Sequence, residues 1–352
     1  MDLTSLFLRL TPVRPFLVTA PGGDRVRFAV ERHLRERGWW SAASPAEANL
    51  LVLAGPEHDG LAPYLDRVWE AMPAPRARAQ VRHPAEVGDV IAEAVTDLRA
   101  SGRQRVAAAD RPASGGDEAD APMSCGAAMP DPGHEGHHGD HDDHGQSGDQ
   151  SNHGGHDMSG MRLAGLAMAD RAADRDGLKL DQLHVALGPA LPDWPAGLVV
   201  RLTLQGDVVQ EAEVELIVSP HRGSWRSEVP KADLVHRLDN AARLLSVAGW
   251  VDGAAAARRL RDSAVAGAGT PGLEKWAGRV RRSRTLRWSL AGVGEHSGGD
   301  ALTRLLGWLE GKDTALTVND LHDLLVGAEL ATARLVVASA GIDFDSPVGA
   351  HG

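Results

Sequence analysis

Pro15-Phe16-Leu17-Val18-Thr19-Ala20, ended by Pro21-Gly22-Gly23, and Leu50-Leu51-Val52-Leu53-Ala54, ended by Gly55-Pro56, decide the fold of the amino-terminal part. Both are short, nearly unbroken apolar runs closed by turn residues, which is how a buried strand reads. Between them Arg25 to Gly38 has Val26, Ala29, Val30 and Leu34 at helical spacing, with Gly38 as a stop. Leu61 to Met72 is helical again, closed by Pro73 and Pro75, and Val87 to Leu98 makes a last helix with Val87, Ile91, Ala94, Val95 and Leu98 on its inner face. Strand and helix alternate, so residues 1–100 are expected to form a small α/β layer domain with a short parallel sheet. Pro21-Gly22-Gly23-Asp24 follows the first strand where a phosphate loop would lie. It is not G-x-G-x-x-G, and Asp24 would repel a phosphate, so it reads as a plain turn.

Outward from this domain the composition changes. Residues 101–165 are built from Gly, Asp, His, Ser and Pro with few large apolar side chains, and are expected to be a disordered linker. Seven of the chain's sixteen histidines, His134, His137, His138, His141, His144, His153 and His156, lie here, followed by Met158 and Met161. Imidazoles suit nickel, zinc and copper, Asp140, Asp142 and Asp143 add oxygen ligands, and the two thioethers beside His156 suit Cu(I). The spacing is irregular and has no closed four-ligand pattern. The expectation is weak, exchangeable nickel, zinc or copper at these nine side chains and no resident cofactor.

Length and charge bound the rest. At 352 residues, 43% of them hydrophobic, the chain has material for about two domains besides the linker. A net charge of -11 argues against a dedicated nucleic-acid binder. Cys125 is the only cysteine, which excludes an internal disulfide and any all-cysteine zinc or iron-sulfur site within one chain. No run approaches the ~18 apolar residues of a spanning helix. The opening segment has no basic n-region and contains Arg9 and Arg14, a poor signal peptide. A cytoplasmic chain is expected, with any membrane contact borrowed from partners.

From Gly177 a second module begins. Leu178, Leu180 and Leu183 alternate with polar residues, and Gly197 to Leu216 reads as two strands around Gln205-Gly206-Asp207, a β-hairpin with Leu198, Val200, Leu202 and Leu204 on the inner face of a half-buried antiparallel sheet. Helices are expected from Lys231 through Val247, then over 250–265, 272–292, 300–309 and 318–340. A small sheet (166–225) followed by a helical bundle (226–345) is an α+β order.

Two stretches bring a family into view. Ala43-Ser44-Pro45-Ala46-Glu47-Ala48-Asn49 leading into the strand at 50–54, with Leu61-Ala62-Pro63 and Val68-Trp69-Glu70-Ala71-Met72-Pro73-Ala74-Pro75-Arg76, resembles the 20 kDa subunit of respiratory complex I and the small subunit of group 4 nickel-iron hydrogenases. The likeness covers roughly residues 40–78. Gly188-Pro189 with Pro192, then Leu202, Leu204, Gly206, Val208, Val209, Ala212 and, shifted by one, His221-Arg222-Gly223, resembles the 49 kDa subunit of complex I and the hydrogenase large subunit over roughly 180–225. The resemblance implies a four-iron cluster held by a tandem cysteine pair near the first strand and two cysteines downstream, and quinone-pocket histidines in the segment after Gly188. This chain departs at each place. Ala20-Pro21-Gly22-Gly23 stands where the tandem pair would fall, and the two histidine positions fall on Leu191 and Pro195. An iron-sulfur cluster is therefore not expected.

What remains reads as structural. His221 lacks an argued substrate pocket, and His184, His236 and His322 are lone residues on mixed faces. Arg279, Arg281, Arg282, Arg284 and Arg287 read as a solvated helix face, with docking of an acidic partner or lipid headgroups as the alternative. Trp276 and Trp288 flank the run and read as core. The expected function is a non-catalytic peripheral subunit of a complex I-like or antiporter-like membrane assembly. It would lie on the inner face of the cell membrane through membrane-subunit partners, with no direct span. The chain is not expected to be an enzyme. The alternatives are a metal-handling protein that uses the His-rich linker, and an active oxidoreductase subunit of the NADH-quinone oxidoreductase type.

Overall fold

A computed structural model of the chain describes residues 10–109, 162–163, 166–167, 170–173, 179–217 and 225–342. Packing divides the chain into two units, one made of Met1–Ala108 with Ala169–Gly352, the other of Ala109–Met168.

The first unit begins as the apolar runs dictate. Strand β1 (Pro15–Thr19), helix α1 (Asp24–Glu36), strand β2 (Leu50–Ala54), helix α2 (Ala62–Ala71), strand β3 (Ala77–Val81) and helix α3 (Val87–Arg99) follow in order. The three strands form a parallel sheet in the order β1-β2-β3, with Pro15 opposite Leu50 and Leu50 opposite Ala77. All five residues of β2 are buried because the sheet is covered on both faces. On one face Val26, Val30 and Leu34 of α1 and Ile91, Val95 and Leu98 of α3 pack on Leu50, Val52 and Ala79. On the other, Leu65 and Val68 of α2 pack on Phe16, Val18, Leu51 and Leu53, joined by Ala190 from far along the chain. Strand β3 is not among the strands expected from the sequence: its buried Ala77, Ala79 and Val81 alternate with Arg78 and Gln80, a period-two pattern written mostly in small side chains.

Helix α4 (Ser101–Ala109) continues directly after α3, so the opening of the expected disordered linker is helical. In the second unit Arg162–Leu163 (β4) and Leu166–Ala167 (β5) form a short antiparallel pair. The histidines at 134, 137, 138, 141, 144, 153 and 156, with Met158 and Met161, lie outside the described residues.

The rest of the first unit is an antiparallel sheet followed by helices. Strands β6 (Asp170–Ala173), β7 (Lys179–Leu187), β8 (Leu198–Gln205) and β9 (Val208–Leu216) pair in that order. The β8–β9 hairpin turns at Gly206-Asp207, where Gly206 has φ +62°. Leu198, Val200, Leu202 and Leu204 face the carboxy-terminal helices α10 (Val318–Leu325) and α11 (Leu330–Ser339). The outer face is mixed, as a half-buried sheet implies. On it His184, Arg201, Glu211 and Glu213 are exposed, while Val199, Thr203 and Gln205 of β8 are buried, Thr203 lying between His184 and Glu211. The α10–α11 turn closes the edge of β9: Val209 N–H donates to Ala328 O (2.9 Å), and Gly327 N–H to Val209 O (2.8 Å).

Helices α5 (Ala232–Val247), α6 (Val251–Val265), α7 (Leu273–Arg282), α8 (Arg284–Leu290) and α9 (Ala301–Leu309) build the bundle around Leu238, Leu245, Ala257, Trp276, Leu290, Leu305 and Trp308. Two expected helices are each divided. Ser283 leaves the helical region (ψ 111°) and its hydroxyl accepts from Leu286 N–H at 3.3 Å, starting α8 as a new helix. Gly327, at φ +83°, separates α10 from α11. Among the described residues no helix is long and apolar enough to cross a membrane.

Candidate functional site

Ligands of open parallel sheets usually bind beyond the carboxyl ends of the strands. Here that edge is packed backbone on backbone. Ala20 N–H donates to Ala54 O (2.9 Å), Gly23 N–H to Ala20 O (2.8 Å) and Gly55 N–H to Val81 O (2.8 Å). A Cβ on Gly23 would run into the Ala54 carbonyl oxygen, and Gly55, at φ +116°, lies against Gly23. These two glycines let the strand ends meet without a side chain between them. The antiparallel half then covers the turn. Gly197 (φ +76°) is so close that an added Cβ would sit 3.0 Å from the Pro21 ring, and Ile217 N–H donates to Gly197 O at 2.8 Å.

The cover continues through the loop 188–197. The Trp194 indole N–H donates to Leu198 O at 2.7 Å and lies over Gly188 (φ +77°), leaving no space for a Cβ there. Ala190 is buried against the β1–β2 core, Leu191 packs partly buried on the antiparallel sheet, and Pro195 is buried. Asp193, in a left-handed conformation, accepts from Ser246 Oγ at 2.6 Å and pairs with Arg258. The loop is thus pinned to both α5 and α6.

Beside this closed edge lies an ionic lattice that joins α1 to α5 and α6. Arg27 reaches Asp24 (2.7 Å), Glu31 (2.8 Å) and Asp239 (2.7 Å). Arg261, with no exposed side-chain surface, reaches Asp239 (2.6 Å), Glu31 (2.8 Å) and Asp262 (2.9 Å). Arg243 adds 3.2 Å to Asp239, Arg258 adds 3.6 Å to Glu31, and Arg35 pairs with Asp262. With Asp193 the lattice has five guanidiniums and five carboxylates. The balance matters, because a buried charge without a partner would be costly. Phe28 forms its floor: Arg261 stacks 4.3 Å from the ring centroid, Arg27 lies at 4.7 Å, and Trp225 meets the ring edge-on at 5.5 Å.

The lattice sets its own protonation. Burial opposes charge on Glu31, yet Arg261, Arg27 and Arg258 hold its carboxyl well below the usual carboxylate range. Asp239 is likewise held far down against burial by Arg27, Arg243 and Arg261. Burial disfavours the charge on Arg261, and Glu31, Asp239 and Asp262 more than offset it, raising its affinity for the proton. These groups stay ionised across the physiological range, so the arrangement suits clamping rather than proton transfer.

These residues are not among the candidates that the sequence offers. Arg27 with Glu31 and Asp239 with Arg243 look like ordinary (i, i+4) surface pairs. The available signal was Asp239 and Arg261 following Leu238 and Leu260 on alanine-rich helices, where a charge interrupts an apolar stripe.

Other candidates fall elsewhere. His221, Arg222 and Gly223 lie outside the described residues. His184 meets Thr203 Oγ1 at 3.3 Å, and that hydroxyl meets Glu211 at 3.3 Å, three side chains in register across β7, β8 and β9. They edge an open groove of about 420 Å³ that Arg201 and Glu213 also line. His236 Nε2 lies 2.9 Å from Asn240 Nδ2 and 3.3 Å from Gly341 O, a contact from α5 to the residues just after α11, and His322 pairs with Asp323 at 3.1 Å. Among the described residues no group of three or more His, Cys, Asp or Glu side chains is arranged to hold a metal ion. Trp276 is core, its N–H on Gly253 O at 3.1 Å, whereas Trp288 is 77% exposed, against the expectation that it packs inside. No known protein family, curated protein or solved structure matches the chain.

Proposed function

We propose that the chain is a non-catalytic peripheral subunit of a complex I-like or antiporter-like membrane assembly, a fusion of two subunit-like modules that docks on a membrane arm without transferring electrons. The observation that carries this reading is the junction itself. The turn that the resemblance aligns with a cluster-binding turn is Ala20-Pro21-Gly22-Gly23, and it is packed shut against Gly197 while ten charged side chains clamp α1 to α5 and α6 beside it. A redox interface must admit a cofactor or a substrate. A junction filled by backbone contacts and balanced ion pairs instead holds two surfaces in a fixed relation, which is what a docking subunit needs.

The reading is tested by purifying the tagged chain from native membranes in mild detergent. It predicts a multi-spanning proton-pump-like or antiporter-like subunit in near-equal amount, and fails if no such subunit co-purifies. The His-rich composition of 134–161 supports a second reading, metal handling. A chain lacking residues 131–161 separates them: unchanged partner capture with lost nickel, zinc or copper tolerance favours the second.

A further inference from the structure

Helices α7 and α8 form a ridge whose inner side is built from Trp276, Ala277, Val280, Leu286 and Leu290, all buried. Its outer side is cationic. Within Leu273–Leu290 there are Lys275, Arg279, Arg281, Arg282, Arg284 and Arg287 against the single carboxylate Glu274, in a chain whose net charge is -11. Among the described residues only Arg281 of this set has a carboxylate partner, Glu274 at 3.4 Å. Three of the other guanidiniums turn to rings and carbonyls: Arg279 lies 5.7 Å over Trp250, Arg284 5.7 Å over Trp288, and Arg287 donates to Arg281 O at 3.1 Å. Helix dipoles account for cations in the last turns of α7 and α8. They do not account for Arg284 in the first turn of α8, nor for an indole left 77% exposed among arginines.

We propose that this ridge docks directly on a membrane surface, its arginines on anionic phospholipid headgroups and Trp288 in the boundary between headgroups and acyl chains. An arginine-flanked indole is the side-chain set that a bilayer interface stabilises, because the ring is apolar with one polar edge and the cations meet the lipid phosphates. A nucleic-acid duplex would satisfy the arginines but offers no apolar layer for the indole to enter. The ridge goes beyond attachment through partner subunits and does not depend on it: lipid binding by the purified chain and capture of membrane subunits fail independently.

The experiment is flotation of the purified full-length chain at mildly alkaline pH with chelator present. Vesicles of neutral phosphatidylcholine alone are compared with vesicles carrying about 30% phosphatidylglycerol, at about 50 mM and about 0.5 M salt. The expected result is binding to the anionic vesicles only, lost at the higher salt. Each arginine at an anionic surface contributes about fivefold, so Arg284→Gln with Arg287→Gln weakens binding about 25-fold. Trp288→Ala weakens it about tenfold while the circular dichroism spectrum is unchanged. Equal binding to neutral vesicles, binding indifferent to both variants, or tighter binding to a duplex oligonucleotide than to the anionic vesicles overturns the proposal.

Discussion

Arg261→Met removes the centre of the junction lattice with little change of volume, and its cost can be worked from the contacts. Four hydrogen bonds disappear, to Asp239 Oδ1 (2.6 Å), Glu31 Oε2 (2.8 Å) and Asp262 Oδ1 (2.9 and 3.2 Å), together with the stack on Phe28. Each carboxylate keeps another partner: Glu31 keeps Arg27, Asp239 keeps Arg27 and Arg243, and Asp262 keeps Arg35. The lattice is nevertheless left with one surplus buried negative charge. Breaking a buried pair from one side costs about 3–5 kcal/mol. At about 2–4 °C per kcal/mol for a unit of this size, the midpoint of thermal unfolding falls by about 6–20 °C. The assay is urea and thermal unfolding followed by far-ultraviolet circular dichroism and tryptophan emission, with the exposed Arg287→Gln as a control expected to stay within about 0.5 kcal/mol. Adding Glu31→Gln to Arg261→Met restores neutrality and recovers part of the loss, a coupling of about 1–3 kcal/mol. A cost below about 1 kcal/mol, or strictly additive effects, would refute the claim that the lattice clamps the junction.

Because Glu31 and Asp239 titrate below the ordinary carboxylate range when folded, their contribution is fully present above their unfolded values near ~4 and is lost as pH falls through the lower folded values. Urea stability is therefore expected to drop steeply below about pH 4, with the slope flattened in Glu31→Gln; an equal slope in both proteins would contradict this. Gly23→Ala forces a Cβ into the Ala54 carbonyl and is expected to cost about 1–3 kcal/mol, whereas Gly102→Ala, in a helix with open space around it, should be neutral or slightly stabilising in the same urea titration. Calorimetric titration at neutral pH checks the His-rich segment: no nickel, zinc or copper binding tighter than roughly millimolar ends the metal reading.

Elements written in large apolar side chains were legible in the sequence. Leu50–Ala54 and the helix with Val26, Val30 and Leu34 followed from unbroken and 3.6-residue periodicities, and the β8–β9 hairpin from alternation around Gly206. Strand β3 escaped because Ala77 and Ala79 bury little area, and Ser283 escaped because a serine is compatible with a continuous helix. The lattice was illegible for a different reason. Arg27 and Asp239 are 212 residues apart, and only packing of α1 on the bundle turns two solvated-looking charges into a buried pair. Asp193 and Trp194, which pin the loop between Leu191 and Pro195, carry no periodicity that marks them in the sequence, because their partners Ser246 and Arg258 lie more than fifty residues away and Leu198 O is a backbone atom.

Docking on a membrane arm is tested most directly by the size and composition of the species that contains the chain in mild-detergent extracts of native membranes, read by native electrophoresis and quantitative mass spectrometry. One large species is expected, in which the chain and a multi-spanning membrane subunit occur in near-equal amount, and from which the chain is lost when Arg261→Met loosens the junction. Migration of the chain free of any membrane subunit, or an intact species that retains electron transfer through this chain, would contradict it.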